Sequence, residues 1–223
     1  MYGITFTKGC EFMFSVIFDM DGTLLDTQKI CIPAWEYAGE KQGFKGAGKL
    51  MPLVCGMNLN GSNKVLTDNY PDIDLPRFRT DSRQYIIDNL EVRFMKGAKE
   101  LLDYLKGRGI KIGLATGTSR PSVLHHLKAV NALEYFDVLV CGTEIENGKP
   151  APDIFLKTAQ LMGVHYEDCF VFEDSENGII AGSKAGMKAI GIPDIVPFSN
   201  ETKSLMYCEL EDLAQAIEIF EKL

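Results

Sequence analysis

Asp19 and Asp21 stand one residue apart at the end of an apolar run, in "SVIFDMDGTLLDT" from Ser15 to Thr27. Val16, Ile17 and Phe18 in series predict a buried strand. Side chains alternate along a strand, so the two aspartates can face one side while Met20 points away. Carboxylates that close repel each other unless a cation lies between them. Gly22 allows the backbone a sharp departure, and Thr23 adds a hydroxyl and a backbone N–H. This composition suits a site better than a core.

Three other runs carry groups of the same character: "ATGTSR" (Ala115 to Arg120), "GKPAPDIF" with Lys149, and "FEDSENG" (Phe172 to Gly178) with Glu173 and Asp174. Carboxylate oxygens gathered around a hard cation, with positions left for water and a phosphate oxygen, suit Mg²⁺. Such an ion would offset the repulsion between the acids. One aspartate could then act as nucleophile toward a phosphoryl group while the other moves a proton. Thr116 and Lys149 could hold the transferring oxygens. Each cluster is weak alone. Asp-x-Asp can serve a turn, Glu173 and Asp174 can cap the helix after them, and Thr116 and Lys149 can be ordinary loop residues. Their weight comes from occurring together.

The elements around these runs explain how they would meet. From Lys96 onward the chain alternates: a helix ending near Gly109, a strand over "IKIGLAT", and a helix with Pro121 in its first turn. Then come a strand over "FDVLVCG", a helix over "PDIFLKTAQLMG", a strand over "DCFVFEDS", a helix over "NGIIAGSKAGM" and a strand over "KAIGI". The last segment, "ELEDLAQAIEIFEKL", is amphipathic and predicts a docked terminal helix. This rhythm specifies an α/β fold, a Rossmann-like parallel sheet flanked by helices. Functional groups in such sheets collect beyond the carboxyl ends of the strands, where all four runs fall. From about Gln28 to Phe94 the rhythm breaks into helical stripes without a convincing buried strand. The expected division is a core of residues 1–27 and 95–223 and a small helical domain, 28–94, inserted after the first strand. Asp26 is expected to cap the first inserted helix, Trp35 to lie in the insertion's own core, and His125 and His126 to be packing or exposed residues.

The 223 residues are 46% hydrophobic and 24% charged, enough for a substantial core. A net charge of −8 argues against nucleic acid as a partner. No apolar run approaches the roughly 20 residues of a membrane span. Cys10, Cys31, Cys55, Cys141, Cys169 and Cys208 are scattered without a CxxC pair, which points to reduced thiols and a cytoplasmic protein rather than a zinc cluster. No signal peptide is evident, and the residues before Met13 read as a short extension or an upstream start. The oligomeric state is left open, with a monomer plausible.

"FDMDGTLLDT", "LATGTSR", "GKPAPDIF" and "FEDSENGI" together resemble the four motifs of the haloacid dehalogenase superfamily, in the right order from about Ser15 to Ile190. The insertion resembles the small helical cap of its β-phosphoglucomutase-like and phosphoglycolate phosphatase-like branch. Carried over by motif, the resemblance implies that Asp19 is the nucleophile and Asp21 the general acid/base. It implies phosphate binding by Thr116, Gly117 and Lys149. Mg²⁺ would be held by Asp19, the backbone carbonyl of Asp21 and Asp174, with Glu173 ligating or just behind. An aspartate at position 21 favours phosphoryl transfer over dehalogenation. If "VCGMNLNGSN" aligns with the glycine-then-arginine that such mutases use to grip a second phosphate, Gly56 matches but Leu59 stands in the basic position. The expected activity is therefore a Mg²⁺-dependent phosphatase acting on a small phosphorylated metabolite such as a sugar phosphate. A sugar phosphomutase and a non-catalytic phosphometabolite-binding protein are the alternatives.

Overall fold

A computed structural model describes residues 14–55, 57 and 59–223. The expectations for the N-terminal extension, Cys10 and Gly56 lie outside the described residues. Six parallel strands form one sheet: β1 (Ser15–Phe18), β2 (Ile112–Thr116), β3 (Val138–Cys141), β4 (Cys169–Glu173), β5 (Lys188–Gly191) and β6 (Cys208–Glu209). Their order is β3-β2-β1-β4-β5-β6, so the chain winds outward in both directions from the β1/β4 pair. That junction is where an open parallel sheet leaves a crevice at its carboxyl edge.

Alternation along the strands sorts the core into two faces. Val16, Phe18, Leu114 and Phe172 join one cluster, with Leu101, Leu102 and Leu105 of α5 (Ala98–Gly107), Val123 and Leu127 of α6 (Arg120–Ala129), and Phe220 of α10 (Gln215–Phe220). Ile17, Ala115 and Val171 point the other way, onto Phe155 and Ala159 of α7 (Asp153–Met162) and Ala181 of α8 (Glu176–Lys184). Phe18 and Phe172 stack with ring centroids 5.0 Å apart, closing the centre of the first face. Each fully buried side chain of this size contributes about 1.5–3 kcal/mol of transfer free energy.

The end of the chain differs from expectation. The helix read from Glu209 begins only at Gln215, and Cys208 and Glu209 instead pair with Ile190 and Gly191 as the sixth strand. A two-residue edge strand is too short to show a period of two, whereas the following residues do show a helical stripe. The helix is docked as expected: the Phe220 ring lies 4.7 Å from that of Phe14 and 5.1 Å from that of Phe170. The short α9 (Asn200–Lys203) precedes β6.

Between β1 and α5 stand α1 (Cys31–Glu40), the single-turn α2 (Met51–Val54), α3 (Leu59–Asn69) and α4 (Leu75–Asn89). Asp74 caps α4, accepting from Arg77 N at 3.0 Å, with a proline following in the first turn. These helices share a cluster of their own, centred on Trp35, Leu66 and Phe78. Trp35 meets Phe78 edge-on at 5.4 Å and is 5% exposed, so it is a packing residue. Asp26 does not cap α1: that helix has Ile30 at its cap position without a side-chain bond, and Asp26 pairs with Lys29 at 3.5 Å. Exposed His125 and half-buried His126 lie on α6.

Candidate active site

The carboxyl edge of β1, β2 and β4 carries the site. Phe18 pairs with Phe172 on one side and with Leu114 on the other, so the next residues of each strand emerge beside one another. Asp19 N donates to Phe172 O at 3.0 Å, which fixes the first carboxylate against the end of β4. Asp19, Glu173 and Asp174 are all buried, and one carboxylate oxygen from each lies within 4.8 Å of the others. Lys149 reaches this trio from the loop before α7. Its Nζ donates to Asp19 Oδ1 at 2.5 Å, to Ala115 O at 3.1 Å, and to Glu173.

Asp21 faces the same cavity by another route. Its carboxylate accepts from Thr27 Oγ1 and Thr118 Oγ1, both at 2.6 Å, and from Thr116 Oγ1 at 3.3 Å. Its backbone carbonyl accepts from Gln28 Nε2, which also donates to Asp174 Oδ2 at 2.8 Å. The carbonyl of Asp21 and the carboxylate of Asp174 therefore converge on one point. Gly22, at φ +84°, makes the convergence possible, because a Cβ there would stand 2.6 Å from both Asp174 Oδ2 and the Gln28 amide.

Asp174 is further held by Thr23 Oγ1 at 3.0 Å. It does not cap α8. Ser175 does, accepting from Gly178 N at 3.1 Å. Glu173 accepts from Ser175 N and Oγ at 3.2 and 3.0 Å, besides Lys149. With three donors already on it, Glu173 supports the other groups more than it offers a free oxygen. Every expected residue thus reaches one place: Asp19, Asp21, Thr116, Gly117, Lys149 and Asp174 line a single cavity, and Glu173 lies directly behind it.

The charges explain what the site lacks by itself. Burial pushes the Asp19 carboxyl up to about 8 against the pull of Lys149, with Glu173 and Asp21 adding to the rise. Asp174 is raised well above the ordinary carboxylate range by burial, then by Glu173 and Asp19. For Lys149, burial opposes the charge, yet Asp19 and Glu173 together hold it above the ordinary lysine value. One lysine cannot balance this many buried acids. The donor set, all oxygen and net negative, fits a hard divalent cation.

Sequence reasoning missed Thr27, Thr118 and Gln28, and it noted the Thr23 hydroxyl without its partner Asp174. Thr23, Thr27 and Thr118 are short polar residues in the same runs as the acids. Their proximity was a signal, but their direction was not.

The family model of haloacid dehalogenase-like hydrolases matches residues 16–192. The chain belongs to that family. Among curated relatives, a phosphorylated carbohydrates phosphatase of Thermotoga maritima is 31% identical over 215 residues, which are 95% of this chain and 98% of the relative. The β-phosphoglucomutase of Bacillus subtilis is 31% identical over 191 residues, 81% of this chain and 83% of its own. The crystal structure of a hydrolase from Pseudomonas syringae superposes with a TM-score of 0.80 at 23% identity, covering 94% of this chain and 99% of that one, a likeness of fold. The parallel α/β architecture of the family is the one observed.

Proposed function

We propose that the protein is a Mg²⁺-dependent phosphatase of small phosphomonoesters, sugar phosphates among them, working through an aspartyl-phosphate. The observation that carries this reading is the pairing of Asp19, bound by Lys149, with Asp21, held across the cavity by three threonine hydroxyls. The Thermotoga relative, named for phosphorylated carbohydrates, supports the substrate class.

In this reading an Asp19 oxygen attacks phosphorus while the bond to the ester oxygen breaks, and Asp21 gives that oxygen its proton. Water then attacks the same phosphorus, Asp21 takes its proton, and the bond to Asp19 breaks to release phosphate. Thr116, the Gly117 backbone and Lys149 receive the phosphoryl oxygens. Asp19, the Asp21 carbonyl and Asp174 would hold the cation, with Glu173 behind them. Its role is to offset the charge of the acids and of the incoming phosphoryl group. In the same reading residues 28–94 are a cap domain and residues 1–27 and 95–223 the core domain, a division that the insertion's own hydrophobic cluster supports. The five described cysteines are free thiols, which supports a cytoplasmic setting. No described helix is long and apolar enough to cross a membrane.

Similarity to a β-phosphoglucomutase favours a second reading, transfer of the phosphoryl group back to a sugar. One experiment separates them. Phosphate release from sugar phosphates, nucleotides and phosphoglycolate is measured with and without Mg²⁺, beside Asp19→Asn, and β-glucose 1-phosphate products are resolved. Mg²⁺-dependent release that Asp19→Asn abolishes is expected. Isomerisation of β-glucose 1-phosphate without release would replace the phosphatase by a mutase, and turnover by Asp19→Asn would remove the aspartyl-phosphate.

A further inference from the structure

The cavity that holds Asp19 and Asp21 has a volume of about 530 Å³, far more than a phosphoryl group occupies. Its remaining lining must therefore meet the organic part of the ester. That lining is uneven. Met57, Leu59 and Ile145 bring apolar surface, and Met57 and Leu59 are 43% and 62% exposed. Asn60 adds one amide and Glu146 one exposed carboxylate.

The charges of the lining are more selective still. Among the described residues that line the cavity, Lys149 is the one cation, and it is already engaged by Asp19 and Glu173. The lining acids are Asp19, Asp21, Glu146 and Asp174. A divalent ion at the Asp19–Asp174 end would balance the phosphoryl group being transferred, and nothing in the described lining balances another. Among the described residues, no basic residue of the helical insertion lines the cavity, and three of them are engaged elsewhere. Lys64 pairs with Asp68 at 2.7 Å, Arg77 with Asp81 at 3.7 Å, and Arg79 bonds Asn63 and Ser62 while lying over the Trp35 ring. A second phosphate would face Glu146 without a counter-charge, and like charges brought together in this way are rejected strongly.

From these contacts, and resting on the phosphatase reading, we propose that the cavity selects monophosphates of uncharged organic groups with an apolar face and excludes bisphosphates. Leu59 and Glu146 are the specificity-determining residues: Leu59 covers the apolar face, and Glu146 repels a distal anion while accepting hydrogen bonds from hydroxyls.

The test compares matched esters, fructose 1-phosphate with fructose 1,6-bisphosphate and glucose 6-phosphate with glucose 1,6-bisphosphate. Initial rates of phosphate release in Mg²⁺ give kcat/KM for wild type, Leu59→Arg and Glu146→Gln. The monophosphate of each pair is expected to be favoured by about tenfold or more, the effect of a single unfavourable charge contact. Glu146→Gln should narrow that ratio several-fold, and Leu59→Arg should narrow it further, through KM for the bisphosphate. Both residues are outside the described core, so the exchanges leave packing intact. Equal or better turnover of the bisphosphates by wild type, or ratios unmoved in both variants, would overturn the proposal. The parent reading fails differently, by absence of release from any ester. In that case calorimetric binding of the same pairs to Asp19→Asn still decides: tighter binding of the monophosphate sustains the selectivity, and equal or tighter binding of the bisphosphate ends it.

Discussion

Replacing Lys149 by Met tests the electrostatic account of the site directly. The Lys149 side chain is 9% exposed, that of Asp19 10% and that of Glu173 1%, so the three charges are screened little by water. Removing one member of a buried ion pair costs about 3–5 kcal/mol, because the remaining charge is stranded. Two observations favour the lower end of that range. Glu173 keeps its two donors from Ser175. Asp19, already pushed up to about 8 by burial, can take a proton near neutral pH instead of remaining charged. The expected loss in EDTA at pH 7.5 is therefore about 3 kcal/mol, or about 6–12 °C in Tm for a chain of this size. Calorimetry measures it, and the double variant Lys149→Met/Glu173→Gln extends it. Removing Glu173's charge relieves the stranded pair, so the double change should cost less than the sum of the singles. A loss under about 1 kcal/mol, the level of an exposed pair, or strict additivity, would refute the claim that Lys149 balances buried acids.

Other consequences follow from single contacts. Thr118→Val removes a 2.6 Å hydrogen bond to the Asp21 carboxylate, worth about 1.5–3 kcal/mol for a charged acceptor, and should lower kcat/KM for phosphate release by roughly 10–100-fold; unchanged kinetics would detach Asp21 from the chemistry. Gly178→Ala should destabilise by about 1–3 kcal/mol although alanine favours a helix, since its Cβ would run into the Glu173 carboxylate, and a gain in Tm would contradict that contact. Phe78→Ala removes the ring against Trp35 and should cost the inserted helices about 3–5 kcal/mol. Trp35 is the chain's sole tryptophan, so its fluorescence reports that cluster: its urea midpoint should fall below the midpoint of far-UV circular dichroism if the insertion is a separate unit. His126 is lowered from its ordinary 6.5 by burial, with His125 adding and Asp21 opposing, and its Nδ1 is buried without a partner among the described residues. The unfolded chain then binds the proton first, so this stability is present above pH 6.5 and lost as pH falls through the folded value. His126→Gln should flatten the fall of Tm between pH 7.5 and 5.5, and an unchanged slope would refute it.

The sheet was legible because its buried strands are short, apolar and separated by helices with proline starts and glycine ends. Ser15–Phe18 and Lys188–Gly191 lie where the apolar runs put them. Boundaries shifted where a run continued past its hydrogen bonds, as at "IKIGLAT", whose strand begins at Ile112. The sixth strand was not legible, since two edge residues carry no period. Asp26 was misjudged because an acid before a helix looks like a cap whether or not the chain turns in time. Here the helix starts five residues later.

The site divides along the same physical line. Asp19, Thr116, Glu173 and Asp174 are legible because each sits at a strand's end or one residue beyond it, and parallel register brings those ends together, whereas Lys149 reaches them from the loop before α7. The cavity's other wall obeys no such rule. Leu59 and Asn60 open α3, Met57 precedes it, and Ile145 and Glu146 come from the loop after β3. Apart from Lys149 in that same loop, neither segment contains residues whose types announce chemistry, and their meeting depends on how the insertion lies over the sheet. Substrate selection therefore resides where sequence pattern is least informative: not in reactive groups but in which side chains are apolar, which are acidic, and where cations are missing. The chemistry of this chain can be read from strand ends, whereas its choice of ester follows from the charge balance of a wall assembled by tertiary packing.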